Sequence, residues 1–382
     1  MKNRYLLHAF LFLVTVLTTL IAGAEMVTGR ELLLTGTLSW GELWRGMPFS
    51  FAFLAFLTVH EFGHYFLATA HRVKCSLPYY IPIFIPGAPN IGSFGAVIRI
   101  RELPSSRKKY FDIGLAGPLA GFVVATGTLI YGFTHLPPVE EYIYSIHDYK
   151  SVFGGIPSEA MMENAPGVLR FGGSLFFEGM KWLFRDEPNM PPSFEMQHYP
   201  FLLVGFLTLF FTALNLLPIG QLDGGHITYG LFGARRAGVI SRVAVFCLLL
   251  LGGIGMLTMD DLRILFSGIV WYEALFRIGT TSLYLVLIYY VLRRIFSGRS
   301  PSWLVLGTSL MAVFQFLVGS TIGTTTPGVI WLLYSWMAVR VIGLDHPTAP
   351  DDTPLSLPQK LLGWSAVVIF VLCFSPNPIH LT

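Results

Sequence analysis

The amino-acid sequence predicts an all-α polytopic membrane protein, a helical transmembrane bundle of about eight or nine spans with a re-entrant, partly β loop. Three observations carry that reading. Of 382 residues, 53% are hydrophobic and only 12% charged, where soluble domains carry roughly 25% charged residues. The apolar residues are gathered into long runs separated by short polar links, and Lys and Arg cluster in those links. No soluble module is evident.

Clear spans run near 5 to 23, 48 to 70, 110 to 134, 200 to 218 and 240 to 258, each close to the roughly 20 residues a helix needs to cross the hydrocarbon. The stretches 281 to 296, 303 to 320, 327 to 342 and 361 to 375 are apolar but short or interrupted, and Asp260 to Thr281 reads as an interfacial segment. Orientation follows from the basic links. Lys2 and Arg4, Arg72 and Lys74, Arg107 to Lys109, Arg235, Arg236 and Arg242, and Arg293, Arg294 and Arg299 all fall on one side. Placing that side in the cytoplasm leaves His135 to Tyr199 external, with nine acids against four bases. The first run, flanked by Lys2, Arg4 and Ala22-Gly23-Ala24, also reads as a secretory signal with its cleavage site. Its removal would not change the sidedness of anything downstream.

Composition narrows the function classes. A formal net charge of +3, with its basic residues in short loops, gives no nucleic-acid face. Cys247 and Cys373 lie within apolar runs and Cys75 in a short basic loop, so neither a disulfide framework nor a thiolate zinc site is suggested.

The second span carries His60-Glu61-Phe62-Gly63-His64. Spacing of i and i+4 puts His60 and His64 one above the other on one helical face, where two imidazoles can hold a single divalent ion, with Glu61 beside it. Zinc so held lowers the pKa of water toward neutrality, and a neighbouring carboxylate can take the water's proton as it attacks a carbonyl. By chance the pattern arises on the order of once in a hundred such sequences, so the context matters. A carboxylate at hydrocarbon depth costs a few kcal/mol unless compensated, and metal binding is such a compensation. The structural alternative is hydrogen bonding between helices, and Gly63 fits both readings because it lets another helix approach.

Catalytic zinc uses three protein ligands and keeps a fourth position for water. Asp223 is the sole acid between Tyr199 and Leu257 and lies in Asn215-Leu216-Leu217-Pro218-Ile219-Gly220-Gln221-Leu222-Asp223-Gly224-Gly225-His226. Pro218 and Gly220 predict a bent or unwound helix end that can aim the carboxylate inward. Asn215 could hydrogen-bond a substrate backbone or a developing oxyanion. Asp223 also fits an ordinary helix-ending turn. A lone histidine at a helix end is commonly a satisfied interfacial residue, so His226 is not counted as a ligand.

At these residues the chain resembles the site-2 protease family, intramembrane zinc metalloproteases with His-Glu-x-x-His in one span and Asn-x-x-Pro with Leu-Asp-Gly in a later one. The resemblance extends over Pro78-Tyr79-Tyr80-Ile81-Pro82, Gly92 to Ile100 and Gly117-Pro118-Leu119-Ala120-Gly121, and covers roughly 48 to 230. It implies one zinc ion bound by His60, His64 and Asp223, with Glu61 activating water, on the cytoplasmic side of a plasma (inner) membrane. It also implies a membrane-protein substrate, such as an anti-sigma factor or membrane-tethered transcription factor, clipped after a first cut elsewhere. The chain then divides into a first transmembrane segment and external linker (1–47), a catalytic intramembrane core (48–230, with the external loop 135–199) and C-terminal transmembrane segments (231–382).

Around this site, Pro78 to Ile100 is apolar yet carries four prolines and three glycines, which no regular membrane helix tolerates. It reads as re-entrant or interfacial, and the strand-like Gly95-Ala96-Val97-Ile98-Arg99-Ile100 could pair with substrate backbone by edge addition; the alternative is a plug in the bundle. Gly114, Gly117 and Gly121 give the third span a smooth face for the motif helix, and Gly252-Gly253-Ile254-Gly255 likewise reads as helix packing. The rival classes are a metal-ion transporter, whose His, Glu and Asp would line a pathway, and a non-cleaving protease homologue. No internal repeat supports the first, and all four metal and base positions speak against the second.

Overall fold

The computed structural model describes residues 2–87, 90–162, 165, 169–259, 263, 271–322 and 328–381. The chain forms two compact units, Met1–Leu216 with Ala349–Thr382, and Leu217–Thr348.

The first unit contains α1 (Lys2–Thr28), α2 (Trp40–Arg45), α3 (Met47–Ala70), a hairpin of β1 (Tyr79–Pro82) and β2 (Ser93–Val97), and α4 (Arg107–Thr134). Short elements follow: α5 (Val139–Tyr144), α6 (Tyr149–Phe153), α7 (Glu159–Met162), β3 (Leu169–Phe171), α8 (Leu175–Leu183) and a 3-10 turn, Ser193–His198. Then comes α9 (Pro200–Leu216). The second unit holds α10 (Asp223–Phe232), α11 (Ala234–Gly252), α12 (Trp271–Ile295), α13 (Pro301–Ile322) and α14 (Val329–Met337), which runs on as a π turn over Ala338–Ile342. The chain then returns to the first unit as α15 (Leu357–Cys373) and β4 (Ile379–Leu381), which pairs antiparallel with β3.

Among the described residues five helices are long and apolar enough to cross a bilayer: α1 from Tyr5, α3, α4, α12 and α13. The chain is a multi-pass integral membrane protein. Pro200–Leu216, Val329–Ile342 and Leu357–Cys373 are apolar but shorter. The expected 200 to 218 span stops at Leu216 because Pro218 cannot continue a helix and disfavours the α conformation at Leu217. The 240 to 258 run folds as α11, which begins earlier and takes Arg235, Arg236 and Arg242 into its first half. The 281 to 296 run is the latter part of a 25-residue helix that starts at Trp271. The expected interfacial segment Asp260 to Thr281 falls largely on 260–262 and 264–270, outside the described residues.

Because lipid tails are as apolar as leucine, close fit rather than transfer from water holds such helices together. The first unit shows it at several crossings. A Cβ on Gly46 would lie 2.1 Å from the Leu20 carbonyl oxygen, so the start of α3 rests directly on the α1 backbone. The Thr19 and Ser50 hydroxyls meet at 2.7 Å across the same crossing. Gly205 of α9 admits the Leu129 side chain of α4, 2.3 Å from where a Cβ would stand. Phe49, Phe53, Phe56, Leu129, Phe133, Leu202 and Phe206 fill the core between α3, α4 and α9.

The hairpin is the partly β loop the prolines and glycines predict. Its register pairs Tyr79 with Val97 and Tyr80 with Ala96, shifting before Pro82 and Ser93. The strand begins two residues before the expected Gly95 because Gly92, at φ +80, makes the turn that starts it, while Ile100 pairs separately with Cys75. Thr18 donates to the Gly92 carbonyl at 2.6 Å, and Thr58 meets the Tyr80 hydroxyl at 2.7 Å, tying the hairpin to α1 and α3.

In the second unit, Gly252 and Gly253 serve packing, as expected. A Cβ on Gly252 would stand 2.7 Å from the Leu332 backbone nitrogen, and one on Gly253 2.1 Å from the Gln315 amide nitrogen. Gln315 Nε2 donates to the Leu249 and Leu250 carbonyls, both at 2.9 Å, so its burial is satisfied.

Candidate metal centre

Helix α3 starts with Pro48 in its first turn, where a missing N–H costs nothing. Thirteen residues on, it brings His60, Glu61 and His64 into the interior of the first unit, at 4%, 7% and 6% exposure. Those values place three ionisable side chains away from lipid and from the surface.

The two histidines face each other through one nitrogen each. His60 Nε2 and His64 Nε2 are 3.1 Å apart. His64 Nδ1 is 2.7 Å from the Ile113 carbonyl of α4. A carbonyl can only accept, so Nδ1 carries the proton and Nε2 presents a lone pair. Two imidazole nitrogens on one tetrahedral zinc, each about 2.0–2.1 Å from it, sit about 3.3 Å apart. The donor set and the spacing therefore suit zinc, and a carbonyl behind a ligating histidine is the usual outer support of such a site.

Helix α4 is shaped to these rings. A Cβ on Gly117 would lie 2.1 Å from His64 Nε2, and one on Gly121 would lie 3.2 Å from His60 Nδ1. On α3, a Cβ on Gly63 would stand 2.8 Å from the Ala116 carbonyl oxygen. The smooth face expected of Gly114, Gly117 and Gly121 is thus more than helix packing, because Gly117 and Gly121 leave the volume the imidazoles occupy. Neither this nor the Ile113 carbonyl is visible in the motif itself; the three- and four-residue glycine spacing was the available signal.

Asn215, in the last turn of α9, brings its side-chain Nδ2 to 3.3 Å from His60 Nε2. Of the residues singled out from the sequence, His60, His64 and Asn215 therefore come together in the first unit, with Glu61 buried beside His60 in the α3 sequence.

Asp223 belongs to the second unit, where it opens α10 and is half-buried. Helix α9 has ended at Leu216 and a non-helical link leads to Asp223, which is the break Pro218 and Gly220 predict. Gly220 sits at φ +49, and a Cβ there would lie 2.0 Å from the Gly343 carbonyl oxygen. Its backbone N–H donates to Ser241 Oγ at 3.3 Å. An acid in the first turn of α10 also meets the positive end of the helix dipole. His226, one turn further on, is engaged by His346, Nδ1 to Nε2 at 2.6 Å.

The model of Peptidase family M50 matches residues 48–259. Among curated proteins, "Probable zinc metalloprotease EGY1, chloroplastic" of Oryza sativa subsp. japonica is 30% identical over 188 residues, covering 49% of this chain and 28% of the relative. The protein of the same name from Arabidopsis thaliana is 29% identical over 187 residues, 49% of this chain and 30% of that one. "Probable zinc metalloprotease EGY2, chloroplastic" of Oryza sativa subsp. indica is 30% identical over 191 residues, 50% and 30% respectively. The chain spans under a third of the length of these relatives. No solved structure matches it.

Proposed function

The chain belongs to peptidase family M50, and from that premise we propose that it is a site-2-protease-type zinc metalloendopeptidase that cuts a peptide bond within or near the transmembrane helix of a membrane-protein substrate. The observation that carries the reading is the buried pair His60 and His64, with Nε2 atoms 3.1 Å apart on a helix apolar enough to span a bilayer.

His60, His64 and Asp223 hold the zinc. Support for the third ligand comes from chain connectivity: Asn215 is already 3.3 Å from His60 Nε2, and eight residues can span at most about 28 Å. Gly220 within that link has a positive φ, so the link is not regular helix. Zinc supplies Lewis acidity, lowering the pKa of water toward neutrality and polarising a carbonyl. Glu61, adjacent to His60 in the chain, takes the proton of the attacking water and returns it to the leaving amine. Asn215 donates its side-chain N–H to the substrate carbonyl as negative charge develops there.

A helix must unwind before its peptide bond can be attacked, and β2 supports a way to hold it unwound. Among the described residues β2 pairs in its two-stranded sheet with β1 only, on one edge, and Phe94 and Val97 are 70% and 50% exposed. An extended substrate segment adds to the other edge. The hairpin is re-entrant and admits water beside the zinc. The shorter apolar helices complete a bundle of eight or nine spans in a plasma (inner) membrane, with the site toward the cytoplasm. Single-span regulators, such as an anti-sigma factor or a membrane-tethered transcription factor, are the substrates of this regulated intramembrane proteolysis.

The test is reconstitution of purified chain with a helical membrane substrate, comparing wild type with Glu61→Gln and measuring zinc in both. The variant keeps its zinc and loses cleavage by roughly 10²–10⁴-fold. Equal cleavage would remove the mechanism.

A further inference from the structure

A second cluster of ligand-type side chains lies in the segment between α4 and α9. His147 sits between α5 and α6, while Glu195 and His198 lie on the 3-10 turn Ser193–His198. A 3-10 helix has three residues per turn, so Glu195 and His198 stand one above the other on the same side. We propose that His147, Glu195 and His198 form a second divalent metal site of the zinc class, separate from the peptidase centre.

The geometry has three parts. First, the donor atoms make a triangle: His147 Nε2 to His198 Nε2 is 3.1 Å, His147 Nε2 to Glu195 Oε2 is 3.5 Å, and His198 Nε2 to Glu195 Oε2 is 3.8 Å. Ligands sharing one tetrahedral zinc sit about 3.3 Å apart, so an ion above this triangle reaches all three. Two imidazoles and one carboxylate are a donor set zinc takes in enzymes.

Second, the surrounding groups orient the donors. His198 Nδ1 donates to the Met26 carbonyl at 2.7 Å, which leaves Nε2 as the lone-pair nitrogen. This repeats the arrangement of His64 with the Ile113 carbonyl. The Tyr149 hydroxyl donates to Glu195 Oε1 at 2.6 Å, so the other oxygen, Oε2, is the one turned to the histidines.

Third, burial leaves that oxygen in need of a cation. The Glu195 side chain is 2% exposed, and Oε2 has no hydrogen-bond partner. A buried carboxylate oxygen left so costs more than a hydrogen bond is worth, and a cation offsets that cost. His147, at 31% side-chain exposure, gives the ion its way in.

The ligands come from two places in the segment, and the outer support from the end of α1. A bound ion would therefore pin the loop after α5 and the 3-10 turn to α1, just ahead of the helix that carries Asn215. The role we assign to it is this structural tie.

The experiment uses the full chain in detergent, stripped with chelator and then given Zn²⁺ or Co²⁺ alone. His60→Ala/His64→Ala removes the peptidase pair, and we expect that variant to retain about one zinc per chain and, with Co²⁺, to develop the visible absorption of a tetrahedral site. Adding His147→Ala should abolish both signals. Because His147 is partly exposed, His147→Gln serves as a second variant should the alanine protein aggregate, with the same loss expected. Tyr149→Phe should keep the stoichiometry and weaken binding by about 10- to 100-fold, the scale for outer-support changes. No zinc uptake by His60→Ala/His64→Ala, or uptake unchanged by the His147 substitutions, overturns the proposal without touching the peptidase reading, which rests on the other pair.

Discussion

The His64 imidazole occupies the space that a side chain on Gly117 would fill: a Cβ there would stand 2.1 Å from Nε2, 2.5 Å from Cε1 and 2.6 Å from Cδ2. Real Cβ atoms do not make such contacts, so the ring and the bare α-carbon of α4 are mutually required.

Gly117→Ala should therefore displace the His64 ring or push α4 away from α3. Overpacking of this kind costs about 1–3 kcal/mol. We expect a lowered Tm together with loss of about one zinc per chain, the one held by the peptidase pair. Gly121→Ala meets Phe56 Cε2 at 2.9 Å and His60 Nδ1 at 3.2 Å, so its effect should be milder. Zinc content and thermal unfolding measured on the same samples decide it, and full zinc in Gly117→Ala would count against a ring-bound metal.

Asp223 can be separated into its two roles by substitution. As the acid in the first turn of α10 it contributes roughly 0.3–1 kcal/mol through the helix dipole. In the proposed ligand role it would contribute far more, to zinc affinity. Asp223→Asn keeps the size and a hydrogen-bonding oxygen but loses the charge, so it should change Tm little and reduce bound zinc about as much as His60→Ala does. Zinc held at the wild-type level by Asp223→Asn would leave only the local role.

The motif chemistry was legible because it is written in short spacings. His60 and His64 are one turn apart on one helix, and Pro218 and Gly220 mark their own break, so periodicity and backbone preference suffice. The hairpin was legible as non-helical from its prolines and glycines, but its strand boundaries were not, since the turn at Gly92 is set by contact with Thr18 of α1. The lengths of α11 and α12 escaped a hydropathy reading because both helices extend through polar residues, Arg235 and Arg236 in one and Glu273 and Arg277 in the other. The cluster of His147, Glu195 and His198 was invisible, since about fifty residues separate His147 from the other two and only the folded segment joins them.

Stability should depend on pH through His346. The residue is 7% exposed, and burial pushes its imidazole down to about 4. Its unfolded value is near 6.5. Between these values the unfolded chain binds a proton that the folded chain refuses, so stability is present above about pH 6.5 and is lost as pH falls toward 4. His346→Gln should flatten that part of the profile. Thermal unfolding in detergent from pH 7 to 4 reads the difference between the two proteins, and parallel profiles would show that His346 is not the linked group.

Val97→Pro tests whether the free edge of β2 holds substrate. Proline removes a backbone donor and fixes φ, so an extended segment can no longer pair there. Val97 is 50% exposed and terminates the strand, opposite Tyr79, which limits the damage to the hairpin itself. The hairpin's other ties, Thr18 to the Gly92 carbonyl and Thr58 to Tyr80, lie outside the substituted position. We expect cleavage of a helical membrane substrate to fall by at least tenfold, while bound zinc and Tm stay near wild type. A short peptide already extended should suffer less, because it needs no strand to hold it unwound. Unchanged cleavage of the helical substrate would remove β2 from substrate binding and leave the hairpin as a plug in the bundle.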